Sequence, residues 1–84
     1  MKFDWDDGNR AKCSERVLIA EIEAVLSDNR TRVIGDPYEG ETRFRATGRN
    51  VEGRGVFVVF TPRYIDGEIH LRPISARYIH REKS

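Results

Sequence analysis

The sequence predicts an α+β domain: an N-terminal strand and two helices packed on one face of a roughly four-stranded antiparallel sheet, then a short C-terminal helical tail. Three observations predict it. Leu18, Ile19, Ile22, Val25 and Leu26 recur at helical spacing. Beyond Thr42 the chain alternates apolar and polar residues, or runs apolar, between glycine turns. The helical pattern also comes first and the strand patterns follow together, an order that fits segregated layers better than alternating β–α units.

Each element has its own warrant. Met1, Phe3 and Trp5 alternate with Lys2 and Asp4, so Met1 to Trp5 reads as a short strand. Asp6 or Asp7 is placed to cap a polar helix over Gly8 to Arg16. The stripe from Leu18 to Leu26 is a second helix, ending near Ser27 and Asp28. Thr31 to Ile34 reads as a strand stopped by Gly35-Asp36-Pro37. In Thr42 to Thr47, Phe44 and Ala46 share one face while Arg43 and Arg45 share the other. Val56 to Phe60 is apolar on both faces and is expected to be the central strand, buried on each side. Asp66-Gly67 is a hairpin signal leading into Glu68 to Arg72. Pro73 has no N–H for a ladder, so this last strand should be an edge or carry a bulge there. Ala76 onward is read as the start of the tail helix, with Ser75 as its cap.

Composition narrows the function classes. Eighty-four residues make a single domain, residues 1–84, with no room for a second core. Hydrophobic residues are 38% and charged residues 35%, and no apolar run approaches the ~20 residues that span a bilayer. The segment MKFDWDD carries acids where an export signal would be apolar, so none is expected. The single Cys13 excludes an internal disulfide and a cysteine-based zinc cluster, and fits a reducing cytoplasm. No phosphate-cradling glycine motif, nucleophile elbow or metal-ligand spacing is present, and no cofactor is expected. The net charge of +1 hides an asymmetry. Residues 1–42 carry −4 and residues 43–84 carry +5, and eight of the nine basic residues in the second half are arginines. Arginine presents a planar fork that grips phosphate at two points, whereas lysine serves solubility as well. A solvated basic face and a phosphate-handling face both remain open on charge alone.

Five segments occur in order: FDWD at 3–6, AEIEAVL at 20–26, GETRFRATGR at 40–49, GRGVFVVFTPR at 53–63 and RPISAR at 72–77. Together they resemble the BrnT family of bacterial toxins, across essentially the whole chain. The resemblance implies a compact RelE-like ribonuclease fold and a cytoplasmic toxin that blocks translation by cutting RNA. It also implies a partner, the ribbon-helix-helix antitoxin BrnA, which neutralises the toxin. The chain departs from the family pattern at Ser14 to Leu18, where a Lys-His-Gly-Val turn is usual, and in its shorter C-terminus.

Metal-independent RNA cleavage needs a base for the 2′-hydroxyl, an acid for the leaving 5′-oxygen and cations for the phosphorane charge. The catalytic candidates are Arg77, Arg72, His80 and Arg54, and the RNA-binding candidates are Arg43, Arg49, Arg63 and Tyr78. Arg72 and Arg77 flank the last strand, with structural ion pairs as the alternative reading, and the resemblance ranks Arg77 first. Arg54 lies in an exposed turn between two glycines. His80 follows Arg77 by three and would share its face in a helical tail. His70 and Glu41 are weaker candidates for proton transfer, Tyr64 is a further candidate for base stacking, and Trp5 reads as a core anchor. Three functional readings compete: an active endoribonuclease toxin, a catalytically decayed toxin kept as an antitoxin-binding co-repressor, and a non-catalytic RNA-binding module. The edge strand at Ile69 to Ile74 is expected to receive the antitoxin, or a second copy to form a weak homodimer.

Overall fold

A computed structural model describes residues 1–80. Asp6 starts the first helix, α1 (Asp7–Ser14). Its carboxylate accepts from Asn9 N at 3.0 Å, and the Asn9 amide oxygen accepts from Asp6 N at 2.7 Å, a reciprocal capping box. The Asn9 amide nitrogen has two hydrogens left, and it donates to Asp4 O at 3.0 Å and Pro73 O at 2.9 Å. A polar side chain is buried here because every one of its polar atoms has a partner.

The second helix, α2 (Ile19–Ser27), buries Ile22, Val25 and Leu26, three positions of the stripe expected to face inward. The sheet then forms in simple order from β1 (Arg32–Asp36), β2 (Arg43–Arg49), β3 (Gly55–Ile65) and β4 (Glu68–Tyr78), each antiparallel to the next. Ala46, Val56, Val58, Phe60 and Ala76 supply the sheet side of the core, with Cys13, Val17 and the α2 stripe above them. The helix lies so close to β2 that Gly48 has no room for a side chain. A Cβ there would stand 2.6 Å from Thr31 Oγ1 and 2.9 Å from Val25 Cγ1. The β3–β4 hairpin turns on Asp66 and Gly67, both at positive φ (51° and 79°), as a type I′ turn requires.

The expected α+β architecture holds, with four differences in detail. Met1 to Trp5 is not a full strand. Among the described residues only Phe3 forms a bridge, parallel to Leu71, closed by Asp4 N to Leu71 O and Leu71 N to Lys2 O, each 2.9 Å. Gly35 and Asp36 do not stop β1, because extended backbone suits glycine and the strand runs on to pair Asp36 with Arg43. β3 is interior but not buried on both faces: the helices cover the side of Val56, Val58 and Phe60, and Phe57 and Val59 stay half-buried on the other. The chain from Ala76 to Tyr78 is strand, opposite Val56 to Val58, and not the start of a helix, so Ser75 caps nothing. A bulge explains this. Ser75 pairs with Val59 and Pro73 with Phe60, leaving Ile74 as the extra residue, so the strand absorbs the missing proline N–H and resumes its ladder. The rest of the expected tail helix lies outside the described residues.

The edge at Ile69 to Ile74 is also not open in the expected way. Residues 2–4 cover it at Leu71, and Asn9 takes the Pro73 carbonyl. Among the described residues the bare edge is β1, where Val33 and Ile34 are both exposed. Arg72 strengthens the covered side: its guanidinium meets Asp4 at 3.3 Å and Asp6 at 2.6 Å.

Two outcomes follow from this packing. Gly48→Ala should lower stability by about 1–3 kcal/mol through overpacking against Thr31 and Val25. Gly35→Ala, whose Cβ would meet nothing within 4 Å, should leave the denaturation midpoint nearly unchanged. Equal effects at the two sites in chemical denaturation would contradict the close approach of α2.

The second outcome concerns pH. The Asp6 carboxyl is held below its ordinary 3.8 first by the Asn9 backbone N–H and then by Arg72. Asp36 is lowered chiefly by Arg45, and Glu21 is lowered from its ordinary 4.5 chiefly by Tyr78. A carboxyl whose folded value is depressed contributes stability that is present above its unfolded value and lost as pH falls through the folded one. The melting temperature should therefore hold level above the ordinary carboxylate range and fall progressively below it. Asp6→Asn, which keeps a capping oxygen, should flatten part of that fall.

Candidate nucleic-acid interface

Because both helices lie on one side of the sheet, the alternate residues of the strands face outward on the other. The register places Arg45, Val59 and Ser75 in one cross-strand row and Thr47, Phe57 and Arg77 in the next. Arg43, Arg63 and Arg72 extend the same face toward α1. Three strands thus present arginines around the half-buried apolar patch of Phe57 and Val59.

These arginines differ in what they hold. Arg43 contacts Glu41 at 2.9 Å and lies 3.6 Å over the Tyr38 ring. Arg63 reaches the other Glu41 oxygen at 3.6 Å, Arg45 pairs with Asp36 at 2.8 Å, and Arg72 is engaged with Asp4 and Asp6. Arg77 is exposed, stands 4.8 Å over the Phe57 ring, and forms no salt bridge among the described residues. A cleft of about 670 Å³ beside the start of α1 brings Glu41, Arg43, Thr61, Arg63 and Arg72 together.

A second concavity, a groove of about 1140 Å³, opens at the other end of the sheet and gathers Arg32, Arg49, Arg54 and His80. Asn50 shapes the turn that carries Arg54. Its side-chain oxygen accepts from the backbone N–H of Glu52 at 3.0 Å and of Arg54 at 2.9 Å. Arg49 Nη1 closes the same turn on Gly53 O at 2.9 Å. The Arg54 guanidinium lies 3.9 Å over the Tyr78 ring. The Tyr78 hydroxyl donates to Glu21 Oε1, and Asn50 Nδ2 donates to Glu21 Oε2 at 2.6 Å. The phenol hydrogen bond is the largest cause holding the Glu21 carboxyl low, and the same bond pushes the Tyr78 phenol up.

The candidates therefore fall into three places. Arg43, Arg63 and Arg72 share the cleft, His80, Arg54 and Arg49 share the groove, and Arg77 stands on the open face. Arg77 and His80 do not share a helical face, since Arg77 is in β4. Tyr78 has one ring face under Arg54, so that face is not free to stack on a base. Tyr64 is 76% exposed at the sheet's far end, and His70 Nδ1 lies 3.3 Å from Glu68 O. Trp5 packs against the core and donates to Glu23 at 2.9 Å, as an anchor would. Sequence reasoning missed Glu21, Asn50 and the central position of Arg45. Arg45 was visible as the strand-mate of Arg43, and Asn50 as a turn residue. Glu21 gave no signal, because its partners lie 29 and 57 residues away.

Among the described residues no His, Cys, Asp and Glu group is placed to hold a metal ion, and no helix is long and apolar enough to cross a membrane. No curated protein matches the chain. The family described as "Ribonuclease toxin, BrnT, of type II toxin-antitoxin system" matches residues 5–83, nearly the whole length, in a sheet whose open face is lined with arginine. The chain belongs to the BrnT family of ribonuclease toxins.

Proposed function

We propose that this toxin is a metal-independent endoribonuclease that arrests translation by cutting RNA on the open face of the sheet, and that a BrnA-like antitoxin neutralises it there. One observation carries the reading: β2, β3 and β4 present arginines on the face the helices leave uncovered, and Arg77 is exposed among them with no carboxylate partner among the described residues. Guanidinium groups supply the positive charge that the phosphorane needs, without proton bookkeeping. Arg77, held over the Phe57 ring, engages the scissile phosphate. Glu41, held between Arg43 and Arg63, belongs to the cleft and lies too far along the strands from the Arg77 row to take the proton of a 2′-hydroxyl beside that phosphate. Arg49, Arg54 and His80 hold the flanking backbone at the groove. An acidic stretch of the antitoxin covers Arg77 and meets the same cations, so inhibitor and substrate compete for one surface.

Induced expression with and without a BrnA-like partner, read as growth and RNA integrity, tests the reading directly. Normal growth with intact RNA on induction, while the chain still binds the antitoxin, would assign it to the co-repressor role. Arg77→Ala should abolish growth arrest and cleavage while leaving the melting temperature unchanged. Arg77→Lys should restore only part of the activity, because an ammonium lacks the two-point grip. Full toxicity of Arg77→Ala at equal expression would sink the proposed site.

Affinity gives an independent check. If about three phosphates are contacted, binding to a single strand should show a log–log salt slope near −2, at roughly 0.7 per contact. Salt-independent binding of a 2′-O-methyl RNA would contradict a phosphate-reading surface.

A further inference from the structure

The contacts behind Arg54 are more elaborate than an exposed turn arginine needs. Arg54 itself is exposed. Yet its guanidinium rests on an aromatic ring, that ring is fixed through its hydroxyl to Glu21, and the same carboxylate binds the asparagine that shapes the turn. The Asn50 backbone N–H also donates to Arg54 O at 3.0 Å, and the Gly53 N–H donates to Asn50 O at 2.9 Å, closing the turn. One carboxylate on α2 therefore fixes both the platform under Arg54 and the backbone that carries it.

We propose that Glu21 is a positioning residue: through Tyr78 and Asn50 it holds the Arg54 guanidinium at the mouth of the groove, where Arg54 grips a phosphate of the bound RNA. The proposal rests on the ribonuclease reading and names a residue that reading does not use. A long, freely rotating arginine loses rotamer entropy when it binds, and a side chain already stacked on a ring has lost part of it beforehand. The stacked guanidinium keeps its N–H groups at the edge of the ring, free for phosphate oxygens. Both Glu21 oxygens are occupied by neutral donors, so the carboxylate serves as a fixed double acceptor and forms no salt bridge with Arg54 among the described residues.

The test is binding of a single-stranded 2′-O-methyl RNA, which lacks the attacking hydroxyl, by the full chain over a range of salt. Arg54→Ala should make the log–log slope shallower by about 0.7, the share of one phosphate. Tyr78→Leu, which removes the platform, should produce the same change and add nothing in the Arg54→Ala background. Glu21→Gln discriminates by sign. Removing a negative charge beside the groove raises RNA affinity in any background, whereas loss of positioning lowers it only where Arg54 is present. We expect Glu21→Gln to weaken binding in the otherwise unaltered chain, and to leave it unchanged or tighter in the Arg54→Ala background. Tighter binding in both backgrounds, or equal weakening in both, overturns the proposal. A lower melting temperature with an unaltered slope also overturns it, by assigning Glu21 to the fold alone. If the unaltered chain binds no RNA at all, the ribonuclease reading falls first and takes this proposal with it.

Discussion

The Asn9 amide joins the beginning of the chain to its end, and the geometry of the β4 side follows from that junction. Its nitrogen bridges the carbonyls of Asp4 and Pro73, residues separated by 69 positions, while its oxygen completes the cap of α1. A buried amide that lost one of these partners would cost about 1–3 kcal/mol, a large share of the stability of so small a domain. The junction works because Pro73 sits at a bulge. With Ile74 extruded from the ladder, the Pro73 carbonyl turns to the helix, and the strand can still continue to Tyr78. That continuation is what brings Arg77 beside Phe57 and Tyr78 beneath Arg54.

The same junction decides how Arg72 is used. Asp4 and Asp6 are held near β4 by the N-terminal bridge and the cap, so the Arg72 guanidinium meets two carboxylates at 3.3 and 2.6 Å. Largely shielded, with 21% of its side chain exposed, it neutralises acids that would otherwise crowd the start of α1. Arg77 is five residues further along and has the opposite surroundings. The sheet offers it a ring and no acid among the described residues. Two arginines that look equivalent in RPISAR therefore differ in how much of their charge remains for a ligand.

Much of the architecture could be read from the residues, since periodicity reports burial directly. Leu18 to Leu26 shows a helix, Phe44 and Ala46 show an inward face, and Asp66-Gly67 shows a turn, because each pattern is local. The misreadings share a cause: each depended on a distant partner. Met1 to Trp5 alternates like a strand but bridges, among the described residues, only to Leu71. Ala76 to Tyr78 has no strong strand pattern of its own, and β3 imposes the ladder on it. Val56 to Phe60 is apolar on both sides although only one is covered by helices: on the other, Phe57 lies under the Arg77 guanidinium and Val59 sits in a row between Arg45 and Ser75, both half-buried. At the candidate site the arginines were visible as composition. Which of them are neutralised was not, because that depends on Asp4, Asp6, Asp36 and Glu41 being folded back upon them.

The acids that fold back also give the surface a way to respond to a ligand. In the free protein Arg43, Arg45 and Arg63 hold Glu41 and Asp36 at the rim of the open face, in pairs partly exposed to water. Such pairs are individually weak, about 0–1 kcal/mol, so a phosphate can displace a carboxylate at small cost. What they supply is restraint: the guanidinium groups are pointed and partly desolvated before the ligand arrives, and the exposed face does not carry a large unscreened charge. On the proposed reading, RNA and antitoxin would exploit the same exchange with opposite results. RNA would replace internal carboxylates by phosphates along a strand that continues past the site, releasing counterions at each contact. An antitoxin would replace them by carboxylates on a surface that stops there, leaving the arginines paired and Arg77 covered.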